Sequence, residues 1–170
     1  LPIQQAFFAC KTKTRIIRGG NRVGKSLAAA VEVARACCGK DPFKKYPKKD
    51  GRAFCVGKNL DHVGQVMWRK LGRPGAFKII RDLHTRKWRA FRPWDNDDIT
   101  REKESKPAPP LIPRRMIDKI AWENKGKSIP KVVTLTNGWE ICFYSSEGKP
   151  PQGSDINLWH FDEEIVDCMA

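Results

Sequence analysis

The nine residues from Arg18 to Ser26, "RGGNRVGKS", restrict this chain more than any other stretch of it. They stand between the apolar run "TRII" and the run "LAAAVEVARACC". That context predicts a strand over Thr14 to Arg18 and a helix over Ser26 to Cys38, ended by Gly39. Gly19, Gly24, Lys25 and Ser26 fill every fixed position of G-x-x-x-x-G-K-[ST], the pattern of a phosphate-binding loop. A phosphate chain has to be wrapped by backbone N–H groups, which the stretch Gly19, Gly20, Asn21, Arg22, Val23 and Gly24 would present at close range. Lys25 would neutralise the β and γ oxygens of ATP, and the hydroxyl of Ser26 would reach Mg2+.

ATP hydrolysis also needs an acid at the end of an apolar strand, and "INLWHFDEE" supplies one. Asp162 is the expected metal-side acid. Glu163 is the residue type that polarises an attacking water, with Glu164 in its place if the register is shifted by one. Two readings of Arg22 stay open, a cation reaching the γ-phosphate or a surface arginine. Upstream, Gln5 is placed to pair with an adenine edge, while Phe7 and Phe8 serve either as a stacking ring or as core.

Composition narrows the partners. The net charge is +14 over 170 residues. From Lys40 to Arg92 there are sixteen Lys or Arg against four Asp, a surplus that favours a polyanion through phosphate neutralisation. No apolar run approaches the roughly 20 residues of a spanning helix, and no secretory leader is visible at the N-terminus. The six cysteines form no CxxC pair and lack zinc spacing, so they read as reduced core or helix residues. The chain starts at Leu1 and stops at Ala170 inside an apparent helix start, as a piece of a longer protein would.

Along the rest of the chain, "RAFCVGK" reads as a second strand, so strand, helix and strand predict a parallel βαβ unit. "NLDHVGQVMWRKLG" reads as a helix capped by Asn59 or Asp61, with Val63, Val66, Met67 and Leu71 on one face. Residues 94–113, rich in Pro and mixed charge, are expected to form a mobile loop. "RRMIDKIAWENKG" is expected to be a short helix. "KVVTLTNGWEICFYSS" reads as a hairpin turning at Asn137-Gly138 through a type I′ turn.

Together these stretches resemble the large terminase subunits of tailed bacteriophages, the motors that pump DNA into procapsids. "RGGNRVGKS" looks like their phosphate loop. "VTLTNGWEICFYSSEGKPPQGSDINLWHFDEE" is similar to their Asn-Gly hairpin, serine-rich exit and Asp-Glu strand, and "PIQQAFF" is similar to their N-terminal segment. The resemblance runs from about residue 2 to 166, with no matching motif between Gly72 and Ile129. It implies an α/β P-loop NTPase with a mainly parallel sheet flanked by helices, of the additional-strand type, with the hairpin before the acid-ended strand. Residues 1–170 would be the N-terminal ATPase domain, truncated after that strand and lacking the nuclease domain.

Implied partners are double-stranded DNA, the portal protein, the small terminase subunit and further copies in a ring on the procapsid, in the cytoplasm of the infected bacterial host, with no membrane. Lys25, Ser26, Asp162 and Glu163 carry over directly. Arg22 stands one position later than the loop arginine of many members, where this chain has Asn21. Arg101, Arg114 and Arg115 are candidates for an arginine acting on a neighbouring subunit. The coupling motif that follows the acidic pair in the family is missing here, so this chain alone would hydrolyse ATP poorly at best and would not cut DNA. Competing readings are a helicase-like P-loop ATPase, a small-molecule or nucleoside kinase, and a nucleotide-independent DNA-binding module.

Overall fold

A computed structural model of the chain describes residues 2–20, 24–148 and 155–162. Helix α1 (Pro2–Ala9) opens the chain, with Pro2 in the first helical turn, where a missing N–H costs nothing. Helix α2 (Lys25–Cys37) buries Ala30, Val33, Ala34 and Cys37, a stripe at helical spacing. Strand β1 (Arg52–Gly57) leads into α3 (Leu60–His62), a π-helical stretch over Val63–Trp68, and α4 (Arg69–Gly72). Asn59 provides the cap, its Oδ1 accepting the His62 amide at 2.8 Å. The expected apolar face is present, with Val63, Met67 and Leu71 buried and Val66 half-buried.

The next strands are β2 (Lys78–Arg81), β3 (Trp88–Ala90) and β4 (Lys106–Pro107), with α5 (Asn96–Thr100) between the last two. They form a separate three-stranded sheet in the order β3-β2-β4. Strands β5 (Ile117–Asn124), β6 (Ile129–Leu135), β7 (Glu140–Ser145) and β8 (Leu158–Asp162) complete the chain. With β1 they build a mixed five-stranded sheet in the order β5-β6-β7-β1-β8. β1 is parallel to β7 and β8, whereas β6 runs antiparallel to both β5 and β7. The result is α/β, with most strands of the main sheet pointing the same way. Its core joins α2 to the sheet through Ala53, Cys55, Val63, Met67, Leu71, Ile141 and Phe143. Cys10, Cys37, Cys38, Cys55 and Cys142 are free thiols. Among the described residues no helix is long and apolar enough to cross a membrane.

Four expectations are corrected. Residues 14–18 form no strand. Arg15 turns inward to Glu32 while Ile16 is exposed, and β8 pairs with β1 rather than with this segment. The parallel pairs are therefore β7 with β1 and β1 with β8, not a unit built on residues 14–18. The expected helix over 114–126 is instead a turn followed by β5. Irregularities in its pairing to β6, between Ile117 and Lys119 and again near Trp122, leave Ile117 and Ile120 three residues apart, a spacing that imitates a helix. Residues 94–113 carry α5, a 3-10 turn and β4, so they are not devoid of regular structure. The hairpin turn has a positive φ at Gly138 (84°) and none at Asn137. Gly138 donates to the Leu135 carbonyl and Leu135 to the Trp139 carbonyl, the three-residue loop in which a left-handed glycine forms the bulge, rather than type I′.

That turn also locks the sheet to α2. The Asn137 side-chain amide donates to the carbonyls of Cys37 and Lys48, which satisfies an orphan carbonyl at the helix C-terminus. Trp139 is fully buried behind it and donates from Nε1 to the Pro47 carbonyl at 3.2 Å. A Cβ at Gly51 would fall 2.3 Å from the Trp139 ring, whereas at Gly126 it would meet nothing nearer than 3.5 Å. Gly51→Ala is expected to lower unfolding free energy by about 1–3 kcal/mol in urea denaturation, and Gly126→Ala by less than about 0.5 kcal/mol. Equal midpoints would contradict this packing.

Candidate functional site

The start of α2 meets the main sheet at the C-terminal end of β8. Gly24 precedes α2 in the left-handed conformation, φ 82°, and its carbonyl accepts the first-turn amide of Ala28 at 2.9 Å. A side chain there would be strained and would also strike Gln4, whose Nε2 lies 2.8 Å from the Cβ position. Lys25 donates from Nζ to the carbonyls of Gly19 and Gly20, both at 2.7 Å, which holds the ammonium against these two glycines.

One residue on, Ser26 Oγ donates to Asp162 Oδ1 at 2.8 Å. The contact joins residues 136 positions apart in sequence. It exists because β8 pairs in parallel with β1 in a register that sets Asp162 opposite Gly57, at the same end of the sheet where α2 begins. The second oxygen, Oδ2, lies 3.3 Å from His62 Nε2. Both side chains are nearly nine-tenths shielded, so the carboxylate is held on two sides inside the fold. Hydrogen bonds to an ionised group contribute about 1.5–3 kcal/mol each, enough to fix its orientation.

Two residues earlier on the same face of β8, His160 is buried, and among the described residues neither of its ring nitrogens has a hydrogen-bond partner. Burial pushes its pKa down to about 4, against the opposing pull of Asp162. The imidazole is therefore neutral at pH 7.

Lys25, Ser26 and Asp162 are thus brought together, with Gly19, Gly20 and Gly24 beside them. Gln5 is exposed on α1. Its neighbour Gln4 is the glutamine that reaches the loop, donating to the Gly24 carbonyl at 3.4 Å. Phe7 and Phe8 are half-buried under Arg15 and Arg35, at 4.9 and 4.5 Å. Asn21, Arg22, Val23, Glu163 and Glu164 lie outside the described residues. Arg101 is engaged by Glu104 and the Arg81 carbonyl, whereas Arg114 and Arg115 are exposed.

Sequence reading missed His62 and a buried charge centre on α2. Glu32 on α2 is 3 % exposed and accepts from Arg15, Lys45 and Tyr46 through Oε1. Arg15 and Lys45 also donate to the carbonyls of Phe7 and Phe8, at 3.3 and 2.7 Å, so one carboxylate ties α1, the segment entering the loop, α2 and the Lys-rich loop together. Burial and the Glu32 charge push the Tyr46 hydroxyl well above its usual range, so it donates as a neutral phenol. The signal was present in "AAAVEVARA", where a lone acid shares its helix face with buried alanines.

No protein-family model, curated protein or solved structure matches this chain.

Replacing Glu32 by Gln leaves two shielded cations without a counter-charge. Such a change costs about 3–5 kcal/mol. Chemical denaturation of Glu32→Gln should show a loss of that order, against less than about 0.5 kcal/mol for the exposed Glu147→Gln; similar losses would refute the role of the charge centre.

Proposed function

We propose that this chain is the ATP-hydrolysing domain of a large terminase subunit, a P-loop NTPase of the additional-strand type that couples hydrolysis to movement of double-stranded DNA. The observation that carries the nucleotide part is the 2.8 Å contact between Ser26 and Asp162. A hydroxyl one residue after the lysine of a glycine loop and a strand-end carboxylate are the two protein groups that flank the metal in P-loop enzymes. Their meeting across the fold is what the sequence pattern alone leaves open.

In this reading the Gly19 to Gly24 backbone wraps the phosphates, and Lys25 leaves the loop carbonyls to bind the β and γ oxygens. Arg22 adds positive charge at the γ-phosphate, and Glu163, next to Asp162, accepts a proton from the attacking water. Ser26 and Asp162 are hard oxygen donors, and among the described residues no group of three or more His, Cys, Asp or Glu could hold a metal by itself. That sparse donor set suits Mg2+, which keeps most of its shell for water and phosphate oxygens. When bound, Mg2+ would offset charge on the phosphates; Asp162 would be held for it by Ser26 and His62.

Support for DNA as the partner is the +14 net charge together with the resemblance of the phosphate loop, the hairpin and the Asp-Glu strand to terminases. The portal protein, the small subunit and a ring of copies follow from the same resemblance.

ATP turnover, measured by phosphate release with and without duplex DNA at low salt, tests the reading. Duplex DNA should raise turnover. Lys25→Ala should lower it by at least about 100-fold, and Glu163→Gln should abolish it while ATP binding persists. Turnover indifferent to DNA would favour a kinase or another small-molecule enzyme, and a fully active Lys25→Ala would reject the site.

A further inference from the structure

The small sheet of β2, β3 and β4 carries an arrangement that the nucleotide site does not use. Its two faces differ. Ile80 and its cross-strand partner Arg89 turn inward, with Ile80 fully buried. On the other face Arg81 pairs with Trp88, and Lys106 pairs with Ile79. Arg81 and Lys106 both pack on the Trp88 ring, at 5.6 and 3.9 Å from its centre. Cation–π contact holds two like charges side by side where they would otherwise repel.

The turn between β2 and β3 is equally fixed. The Asp82 carboxylate accepts the amides of His84 and Thr85 and the Thr85 hydroxyl, at 2.9 to 3.1 Å. Asp82 and Lys87 close the loop through backbone bonding, and the Arg86 amide donates to the Asp82 carbonyl. Leu83, His84, Arg86 and Lys87 are exposed at the tip.

Five of the six acids of this module pair inside it, and Asp97 is exposed on α5. Arg89 donates from Nε to Asp82 and from both terminal nitrogens to fully buried Asp98, at 3.0, 2.6 and 2.6 Å. Glu102, Glu104 and Asp95 pair with Lys78, Arg101 and Arg92. Among the described residues Arg81, Arg86, Lys87 and Lys106 have no carboxylate partner. The module is therefore a three-stranded sheet whose β2–β3 hairpin runs past the short β4 as a two-stranded ribbon with a fixed turn; its outer face and tip present cations, while five of its six carboxylates pair internally.

We infer that this ribbon is the surface that grips duplex DNA, through its phosphodiester backbone; the inference rests on the nucleic-acid part of the proposed function. A two-stranded ribbon fits the major groove of a duplex, and flanking cations meet the phosphates on either side. The Trp88 ring is already engaged by Arg81 and Lys106, so it does not offer the open stacking platform that single strands use. Backbone contact without base readout suits an element that must bind any sequence.

Fluorescence anisotropy with a 30-base-pair duplex, from 50 to 200 mM salt, tests the inference. Arg86→Gln/Lys87→Gln should weaken binding at least tenfold at low salt and reduce the slope of log affinity against log salt by about 2, one for each phosphate left without its cation. Arg81→Gln/Lys106→Gln should act in the same direction. Lys119→Gln/Lys125→Gln removes equal charge from exposed positions outside the basic stretch and should change affinity less than about threefold. Thermal unfolding verifies that each variant is folded, and the second ribbon pair replaces the first if the first is not. If the wild type binds duplex steeply with salt and both ribbon pairs leave it unchanged, or if the control pair weakens it as much, the ribbon is not the DNA surface and the proposed function stands. A wild type that fails to bind duplex overturns both. Tighter binding to a single strand of equal length, or displacement by polyglutamate at the same charge concentration, also overturns the inference.

Discussion

The parallel pairing of β8 with β1 is the constraint on which the site depends. Its register sets Ala53 against Leu158 and Gly57 against Asp162, so the strand-end carboxylate stands beside the start of α2. A shift of one residue would turn Asp162 to the opposite face, where Phe54, Tyr144 and Trp159 pack edge to face. Leu158, His160 and Asp162 would leave the helix-covered side together. The aromatic contacts on one face and the buried His160 on the other therefore specify the same register from both sides.

Two buried acids fix what the sheet alone does not. Glu32 ties α1 and the segment entering the glycine loop to α2, and Asp98 ties α5 to the small sheet through Arg89. Both use a charge that is costly to bury alone and tolerable only with its partners in place. The arginine beside Asp98 holds its carboxyl below the usual range, and the turn amide of Thr85, helped by the same arginine, lowers Asp82. Asp98 does this positioning in a stretch poor in apolar residues at regular spacing, whereas Glu32 sits on α2 beside its apolar stripe and gathers the polar segments around Arg15 and Lys45.

The legible parts of the sequence were those with strong local signals. Helix α2, strand β1, the Asn59-capped helix, the hairpin around Gly138 and strand β8 could each be read from apolar periodicity, a cap or a turn residue. The segment Thr14 to Arg18 misled because β-branched content cannot tell whether a neighbouring strand exists to pair with, and β5 misled because its irregular pairing mimics a helical spacing. The partners of Glu32, His62 beside Asp162 and the Arg89 bridge were not legible, since each joins residues brought together by the fold; only the burial of Glu32 left a mark in the sequence. Gln4 against Gln5 is the same problem at its smallest scale: adjacent glutamines on a short helix differ only in the face they occupy.

Whether Ser26 and Asp162 act as one metal-dependent unit is most directly measured by calorimetric titration of ATP into the wild type and Ser26→Ala, each with Mg2+ and with a chelator. If the two oxygens share a cation, Mg2+ will tighten ATP binding to the wild type by at least about tenfold, and Ser26→Ala will lose that gain while keeping the metal-free affinity. ATP binding that ignores Mg2+ in the wild type, or a full Mg2+ gain retained by Ser26→Ala, would contradict the account.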